Sequence, residues 1–307
     1  MSTNTKNDIN GWILIDKPIN MGSTQVVSKL KWALSPQKIG HAGTLDPLAT
    51  GLLPIALGYA TKLIPFVMDG KKTYEFQITW GSETTTDDKE GDVTQTALKR
   101  PTKAEVEKVL PSFIGEISQL PPAYSAIKVD GKRAYDMARA GQEFSLKPRP
   151  VLIDSITLLR FSDVSADFRV VCGKGTYVRS LGRDIGRALG CLGHISVLRR
   201  TACSPFQVEK ALSLSEFQIK NPEIPLIPIE SALEKMHHIQ LPPTETKRLL
   251  QGQRLPLRQI AAFLSQTPQE AEILCLMADG KLKGLVQHRQ GVIHPYRIFS
   301  EKTRIKV

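Results

Sequence analysis

The sequence predicts an α+β protein with a large domain followed by a small, mostly β domain. The chain has 307 residues, which exceeds the ~100–200 residues of a typical single domain. In the large part, one stretch alternates apolar and polar residues like a strand, and another repeats its apolar residues at helical spacing. The tail instead carries short apolar runs separated by turn residues.

The first elements follow from local patterns. Gly11 to Ile15 is a short apolar run that predicts a buried strand ending at the Asp16–Pro18 turn. From Ser23 to Leu34 the apolar residues are spaced as in a helix. The stretch Thr73 to Gly81 alternates and predicts a half-buried strand. The acidic, Thr-rich run from Ser82 to Asp92 predicts a solvated loop.

The middle of the chain contains a long basic excursion. A helical pattern follows Pro101 and Thr102. Residues from about Gln119 to Arg149 are rich in proline and in basic side chains, with a short helix expected near 134–140. Loops of this length are usually functional or disordered. A strand at 167–172 then enters a helix near Thr176.

The tail begins after a proline-rich segment. Asn221 to Glu230 contains three prolines and predicts a linker. Beyond it we expect one helix at 244–252, short strands, and a hairpin turn at Asp279–Gly280. These patterns divide the chain into a domain of residues 1–238, with an insertion at about 119–149, and a domain of residues 239–307.

The charge points to a polyanionic partner. The formal net charge is +11 and the pI is near 9.5, a balance typical of nucleic-acid binding. Between Phe168 and Arg200 there are seven Lys or Arg residues against one acid, and between Gln240 and Val307 eleven against five. Clustering of this kind predicts a track that neutralises phosphates.

Several function classes lack their sequence signals. The N-terminal stretch MSTNTKNDIN has no apolar core of a secretory signal, and no apolar run approaches the ~20 residues of a membrane span. The four cysteines form no CxxC pair, which fits reduced thiols in the cytoplasm. The six histidines show no metal-ligand spacing, and nucleotide-binding motifs are missing. We therefore expect no metal, no cofactor and no membrane contact.

Asp46 is the candidate reactive group. It is the single acid of the glycine-rich, apolar stretch from Ile39 to Gly58. Pro47 restricts Asp46 to an extended backbone, so the side chain is aimed. A carboxylate in apolar surroundings is either neutral or paired with a cation, and a paired one is a plausible nucleophile or base. The alternative is structural: Asp46 and Pro47 could be the N-cap and first residue of a helix.

Arg179 is the candidate partner of that carboxylate. On the helix expected from Thr176, Arg179, Arg183 and Arg187 are spaced to share one face. Arg179 lies in the first turn, where the helix dipole disfavours a cation. An arginine held there indicates a nearby anion, although exposure to solvent is the alternative.

The motifs resemble those of the bacterial tRNA pseudouridine synthase family that acts on the T-loop uridine, position 55 of tRNA. Five stretches between residues 11 and 206 carry the resemblance, above all GHAGTLDPLATG at 40–51. The resemblance implies a catalytic domain around a mixed, mostly antiparallel sheet, with an RNA cleft across it, and a small PUA-like C-terminal domain that binds RNA. It implies a monomer that isomerises uridine to pseudouridine without cofactor or metal.

The resemblance also implies roles for single residues. Asp46 matches the essential carboxylate, Arg179 its partner, and Tyr74 the ring that stacks on the target base and helps to remove its C5 proton. Substrate contacts are implied for six more residues: His41, which fills the gap left by the flipped base, Leu198, Lys17, Lys62, Gly40 and Thr44. The insertion at about 119–149 matches a loop that clamps the T-arm.

Two other hypotheses remain open at this stage. The same basic surface would serve an RNA-binding protein or tRNA folding chaperone without chemistry, for which Asp46 would be dispensable. A related synthase acting on ribosomal RNA, or within a guide-RNA complex, would share the same motifs.

Overall fold

The computed structural model describes residues 6–125, 127–129, 131–214 and 225–299. Among them the helices are α1 (Ser23–Leu34), α2 (Ile64–Asp69), α3 (Lys103–Val109), α4 (Ala134–Arg139), α5 (Val178–Ala188), α6 (Pro243–Leu250) and α7 (Leu257–Ile260). The strands are β1 (Gly11–Lys17), β2 (Ile39–His41), β3 (Thr50–Leu57), β4 (Lys72–Trp80), β5 (Ser82–Thr84), β6 (Val93–Thr96), β7 (Gly115–Gln119), β8 (Lys128–Val129), β9 (Lys132–Arg133), β10 (Arg149–Phe161), β11 (Ser165–Cys172), β12 (Gly193–Cys203), β13 (Phe206–Gln207), β14 (Leu212–Ser213), β15 (His238–Gln240), β16 (Leu255–Pro256), β17 (Ile273–Ala278), β18 (Lys281–Arg289) and β19 (Val292–Ile298).

A long mixed sheet organises the large domain. Its strand order is β14-β1-β3-β12-β4-β11-β10-β7, with β2 beside β3 and β13 beside β12. Among the described strands of this sheet, β1–β14 and β3–β12 pair in parallel and the other pairs are antiparallel. The mostly antiparallel α+β architecture expected from the resemblance is confirmed.

The elements with strong local signals match their predictions. Helix α1 has the predicted bounds, and Val26, Leu30 and Leu34 are buried. Strand β4 buries Phe76 and Ile78, as alternation required. The first strand, however, runs two residues beyond Ile15, because its whole length pairs with β3.

The small domain is built on a second sheet, of order β15-β17-β18-β19-β16. The predicted hairpin turn joins β17 and β18: Asp279 and Gly280 both have positive φ, 52° and 68°. Two consecutive positive φ values are the requirement of a type I′ turn, which the Asp-Gly pair meets.

The predicted linker is not a free connection where the structure describes it. Its first four residues, 221–224, lie outside the described residues. Ile227 exchanges two backbone hydrogen bonds with Trp12 of β1 (2.8 and 2.9 Å), and the Trp12 indole donates to the carbonyl of Ile229 at 3.2 Å. These hydrogen bonds hold residues 227–229 alongside β1.

Candidate active site

Asp46 lies in the segment between β2 and β3, at the start of a turn in which its carbonyl accepts from the Ala49 amide at 3.1 Å. The Ser23 hydroxyl, at the start of α1, donates to the Leu45 carbonyl (3.0 Å) and accepts from the Leu45 amide (2.8 Å). On the other side, the Pro47 carbonyl accepts from the Asn20 amide at 2.9 Å. Residues 50–57 form β3, so the alternative of a helix starting at Pro47 is wrong.

Arg179 holds the Asp46 carboxylate. Its Nε lies 2.8 Å from Asp46 Oδ2, while Nη1 and Nη2 donate to the carbonyls of Thr86 (3.0 Å) and Tyr124 (2.9 Å). Nη1 also lies 3.5 Å from Oδ2 of Asp88. The guanidinium is 6% exposed and the Asp46 side chain 37%. The anions expected near the start of α5 are therefore carboxylates, and Asp46 remains open to solvent.

The acidic segment 82–92 is not the solvated loop that the sequence predicts. Arg183 Nη1 lies 2.8 Å from Asp87 Oδ2, and Arg187 forms two hydrogen bonds of 2.7 Å with the Glu83 carboxylate. Glu83 and Asp87 are 4% and 8% exposed. Burial raises the pKa of Asp87, and the Arg183 charge opposes that rise. Glu83, Asp87 and Asp88 are buried because they pair with the arginine face of α5, whereas Glu90 and Asp92 of the same segment are exposed.

The same pairing accounts for the basic cluster between Phe168 and Arg200. Each of its seven cations has an internal partner: Arg169 with Glu75, Lys174 with Asp69, Arg179 with Asp46, Arg183 with Asp87, Arg187 with Glu83, Arg199 with Asp16, and Arg200 with the carbonyls of Leu52 and Gly43. This pairing accounts for the clustering, but Arg169, Lys174 and Arg187 remain more than half exposed, so the phosphate-neutralising track stays a prediction.

An open cleft of about 980 Å³ surrounds the Asp46–Arg179 pair. The predicted site residues that line it are His41, Thr44, Asp46, Tyr74, Arg179 and Leu198. The insertion supplies further lining residues: Tyr124, Ser125, Lys128, Tyr135 and Arg139. Residues that are distant in sequence thus converge on one site, with aromatic and basic side chains around the Asp46 carboxylate. Two more carboxylates, the exposed Glu90 and the buried Asp88, also line the cleft.

Tyr74 faces the cleft from β4, where it lies directly opposite Arg200 of β12. Burial raises the pKa of the Tyr74 phenol to about 12, and the Arg200 charge opposes the rise. The phenol is therefore protonated at neutral pH. It can stack or donate a hydrogen bond, but it is not a phenolate at that pH.

His41 lies beside the Asp46 segment at the end of β2. Burial lowers its pKa, and the Arg200 charge acts in the same direction. Its Nδ1 is buried and has no hydrogen-bond partner among the described residues. The imidazole that lines the cleft is therefore neutral, and its buried Nδ1 is unpaired among the described residues.

Lys17 does not line the cleft, and its substrate contact stays a prediction. The side chain is 0% exposed, and Nζ donates to the carbonyls of Pro18 (3.0 Å), Met21 (2.6 Å) and Pro47 (3.3 Å). Burial lowers the pKa of Lys17 to about 8, although the Asp46 charge opposes this. Through its hydrogen bond to the Pro47 carbonyl, Lys17 stabilises the segment that carries Asp46.

Lys62 and Gly40 also lie away from the cleft lining. Lys62 Nζ donates to the Ile298 carbonyl (3.4 Å) and lies over the rings of Tyr59 and Phe299. It therefore connects the large domain to the small one. A Cβ on Gly40 would lie 2.9 Å from Ile64, so the glycine permits close packing behind the site.

Sequence reasoning did not assign Arg200 or Asp88 to the site. Arg200 is 1% exposed, lines the cleft, and donates to the carbonyls of Leu52 (2.8 Å) and Gly43 (3.0 Å). Gly51 has a φ of 99°, and any Cβ there would collide with the Arg200 backbone. The glycines of the Asp46 motif thus indicated that another segment of the protein packs closely against it. Only the fold shows that this segment carries Arg200.

Two other findings concern metals and membranes. Among the described residues, no group of three or more His, Cys, Asp or Glu side chains is arranged to hold a metal ion. None of the described helices has the length and apolar character needed to cross a bilayer.

Comparison with known structures supports the fold. A chain from an H/ACA RNP bound to a substrate RNA containing 2′-deoxyuridine superposes with a TM-score of 0.74 at 22% identity, covering 95% of this chain and 86% of that one. A chain of a Cbf5–Nop10–Gar1 complex gives a TM-score of 0.73 at 24% identity, with the same coverages. At this identity the likeness concerns the fold alone.

Sequence comparison identifies the family. Residues 31–178 match the model "TruB family pseudouridylate synthase (N terminal domain)", and residues 179–234 match "tRNA pseudouridylate synthase B C-terminal domain". The tRNA pseudouridine synthase B of Brucella ovis is 44% identical, covering 95% of this chain and 96% of that protein. That of Rhizobium etli is 45% identical with the same coverages. The chain belongs to the TruB family of pseudouridylate synthases, enzymes that isomerise uridine in tRNA.

Proposed function

We propose that this enzyme acts on the uridine at position 55 in the T-loop of tRNA, with Asp46 as its essential carboxylate. The observation that carries the proposal is the ion pair of Asp46 with Arg179 in an open cleft. The pair uses Oδ2, and no hydrogen bond among the described residues engages Oδ1. One carboxylate oxygen is therefore free to meet a substrate.

The reaction needs a nucleotide turned out of the RNA stack, because its bonds are inaccessible inside folded RNA. The N1–C1′ bond breaks, the uracil turns in the pocket, and C5 bonds to C1′. The base loses the C5 proton and gains a proton at N1, so atoms and electrons balance without cofactor. An anion must stand beside the sugar–base bond, as nucleophile at C1′ or C6 or as the base that yields a glycal, and Asp46 supplies it.

The surrounding residues fit contacts to the flipped nucleotide. Tyr74 offers a neutral ring for stacking, and its high pKa argues against a phenolate that removes the C5 proton. Leu198, 6% exposed, forms an apolar wall of the cleft. His41 would fill the gap that the flipped base leaves in the RNA, and both His41 and Thr44 line the cleft.

The insertion at about 119–149 would clamp the T-arm over this cleft. Its lining residues include Lys128 and Arg139, which supply positive charge opposite phosphates, and Tyr135, which supplies an aromatic face. We assign catalysis to residues 1–238 and an accessory RNA contact to residues 239–307. We also propose that the enzyme is a monomer. A cytoplasmic location fits the four cysteines, which are free and buried.

The test uses an unmodified tRNA transcript with the purified protein in EDTA, followed by pseudouridine mapping at single-nucleotide resolution. We expect stoichiometric pseudouridine at the T-loop uridine with the wild type and none with Asp46→Asn. The matched control is Asp163→Asn, which changes an exposed carboxylate and should leave activity intact.

Two outcomes would contradict the proposal. RNA binding by both proteins without pseudouridine from either would favour the folding chaperone over the enzyme for this substrate. Pseudouridine at another uridine, or only in ribosomal RNA, would keep the chemistry and reject the T-loop assignment.

A further inference from the structure

Because many Lys and Arg side chains of the large domain form ion pairs within the protein, we asked which basic side chains could contact RNA outside the cleft. The seven between Phe168 and Arg200 are engaged internally, as described above. By contrast, Lys29, Lys31 and Lys38 form no ion pair or hydrogen bond through their side chains among the described residues. All three are exposed. They lie on α1 or within four residues of its end, and α1 itself contains no acid.

The same helix presents an exposed tryptophan. Trp32 is 70% exposed, whereas Trp12 and Trp80 are 0% and 3% exposed. A single exposed apolar residue is common on protein surfaces and needs no explanation. A large flat ring between unpaired lysines is different, because aromatic stacking combined with positive charge is how proteins hold unpaired nucleotides.

Helical spacing joins this tryptophan to the cleft. Gln25, Ser28, Lys29 and Trp32 are exposed and three or four residues apart, so they form one stripe along α1. The stripe starts beside Thr24, which lines the cleft. Trp32 lies eight positions after Thr24, or about 12 Å along the axis at the rise of an α-helix. A nucleic acid leaving the cleft over the start of α1 would reach Trp32 within a few nucleotides.

We propose that this stripe of α1, together with Lys31 and Lys38, is a second RNA-contact surface of the enzyme. We name it the α1 face. It holds the part of the substrate tRNA outside the cleft: Trp32 stacks on a nucleobase, and Lys29, Lys31 and Lys38 neutralise neighbouring phosphates. The inference rests on the proposed tRNA substrate, and it adds a contact that the catalytic cleft does not contain.

The first experiment uses the protein's own fluorescence. Because Trp12 and Trp80 are buried, acrylamide quenching of tryptophan emission reports mainly on Trp32, with Trp32→Phe as the blank. We expect an unmodified tRNA transcript to protect the quenchable emission, and this protection to weaken as salt rises. Unchanged quenching at saturating tRNA would overturn the proposal. Protection of Trp32 from acrylamide that increases with protein concentration in the absence of RNA would also overturn the proposal. It would show that the α1 face is a contact between protein chains.

Binding and turnover separate this surface from the active site. Trp32→Ala should raise the Kd for tRNA by about tenfold, the order expected for losing one stacked base. Lys29→Ala should weaken binding and reduce the slope of log K against log salt by about one. At saturating tRNA, kcat should stay unchanged in both. A large fall in kcat with an unchanged Kd would contradict an RNA-holding role.

Matched controls come from exposed residues elsewhere. Leu98 is 100% exposed, and Leu98→Ala should leave Kd unchanged. Lys108 is exposed on α3 without an ion pair among the described residues, and Lys108→Ala should keep the salt slope of the wild type. Protection of Trp32 without any T-loop pseudouridine would retain this surface and reject the proposed function, so the two claims fail separately.

Discussion

Arg179 joins three segments of the chain through one side chain. It contacts Asp46, the Thr86 carbonyl of the acidic segment and the Tyr124 carbonyl of the insertion. A lysine at this position keeps the positive charge. It lacks the planar guanidinium whose separate nitrogens make the three contacts at once. We therefore expect Arg179→Lys to lower the single-turnover rate by at least ~100-fold, since the carboxylate loses its orientation.

Single-turnover kinetics at saturating tRNA checks this expectation, with binding measured separately. Arg160→Lys, which changes an exposed arginine of β10, is the control and should be neutral. A rate within a few-fold of the wild type would show that the ion pair does not orient Asp46.

Tyr74 carries a prediction about pH. Its phenol has a pKa of about 12 in the folded protein against 10.0 as the ordinary value. Between these values the unfolded chain loses the proton first and binds fewer protons, so stability falls as pH rises. We expect the free energy of unfolding of the wild type, relative to Tyr74→Phe, to be constant near pH 8–9 and to decrease from pH 10 upward. Urea unfolding at each pH measures it, and parallel curves for both proteins would refute the buried phenol.

At the scale of elements, the insertion is attached to the start of α5 by a side chain. Gln119, 1% exposed, ends β7; its Oε1 accepts from the Tyr177 amide (2.8 Å) and its Nε2 donates to the Tyr177 carbonyl (3.1 Å). The amide thereby serves an N–H at the helix start that has no partner within the helix. Gln119 thus holds the turn that presents Arg179 to Asp46.

Gln119→Met should test that attachment. It removes both hydrogen bonds at similar volume, and we expect a loss of about 2 kcal/mol in the free energy of unfolding. Hydrogen exchange should accelerate at the Tyr177 amide and in the first turn of α5. Gln95→Met, on the exposed strand β6, is the control. Unchanged exchange at Tyr177 would show that the turn is held by other contacts.

Some elements and contacts could be predicted from the sequence, and others could not. Helix α1 and the Asp279–Gly280 turn were predictable, because spacing and turn chemistry are local. The burial of Asp87 was not, because its partner Arg183 lies 96 residues away and an acidic, Thr-rich run looks solvated by itself. The burial of Lys17 was not predictable either, because a lone lysine resembles a surface residue until the fold places three carbonyls around it.

At the scale of the whole molecule, the two domains share a hydrophobic core. One buried cluster contains Trp12 and Leu14 of β1 together with Cys275 of β17 and Leu285 of β18. Lys62 adds its contacts to Ile298 and Phe299 across the same junction. Strands of the small domain therefore cover apolar side chains of the large sheet, on which the Asp46 segment is also built.

This shared core predicts that the domains unfold together. Leu285→Ala removes a fully buried side chain at the junction and should cost about 2–5 kcal/mol. Leu276→Ala removes an equally buried leucine from the separate core of the small domain. Both variants should lower the midpoint of one transition, seen alike by circular dichroism and by tryptophan emission, whose three sources all lie in the large domain. If Leu276→Ala instead melts the small domain first while tryptophan emission stays native, the junction does not couple the domains, and the small domain acts as an independent unit.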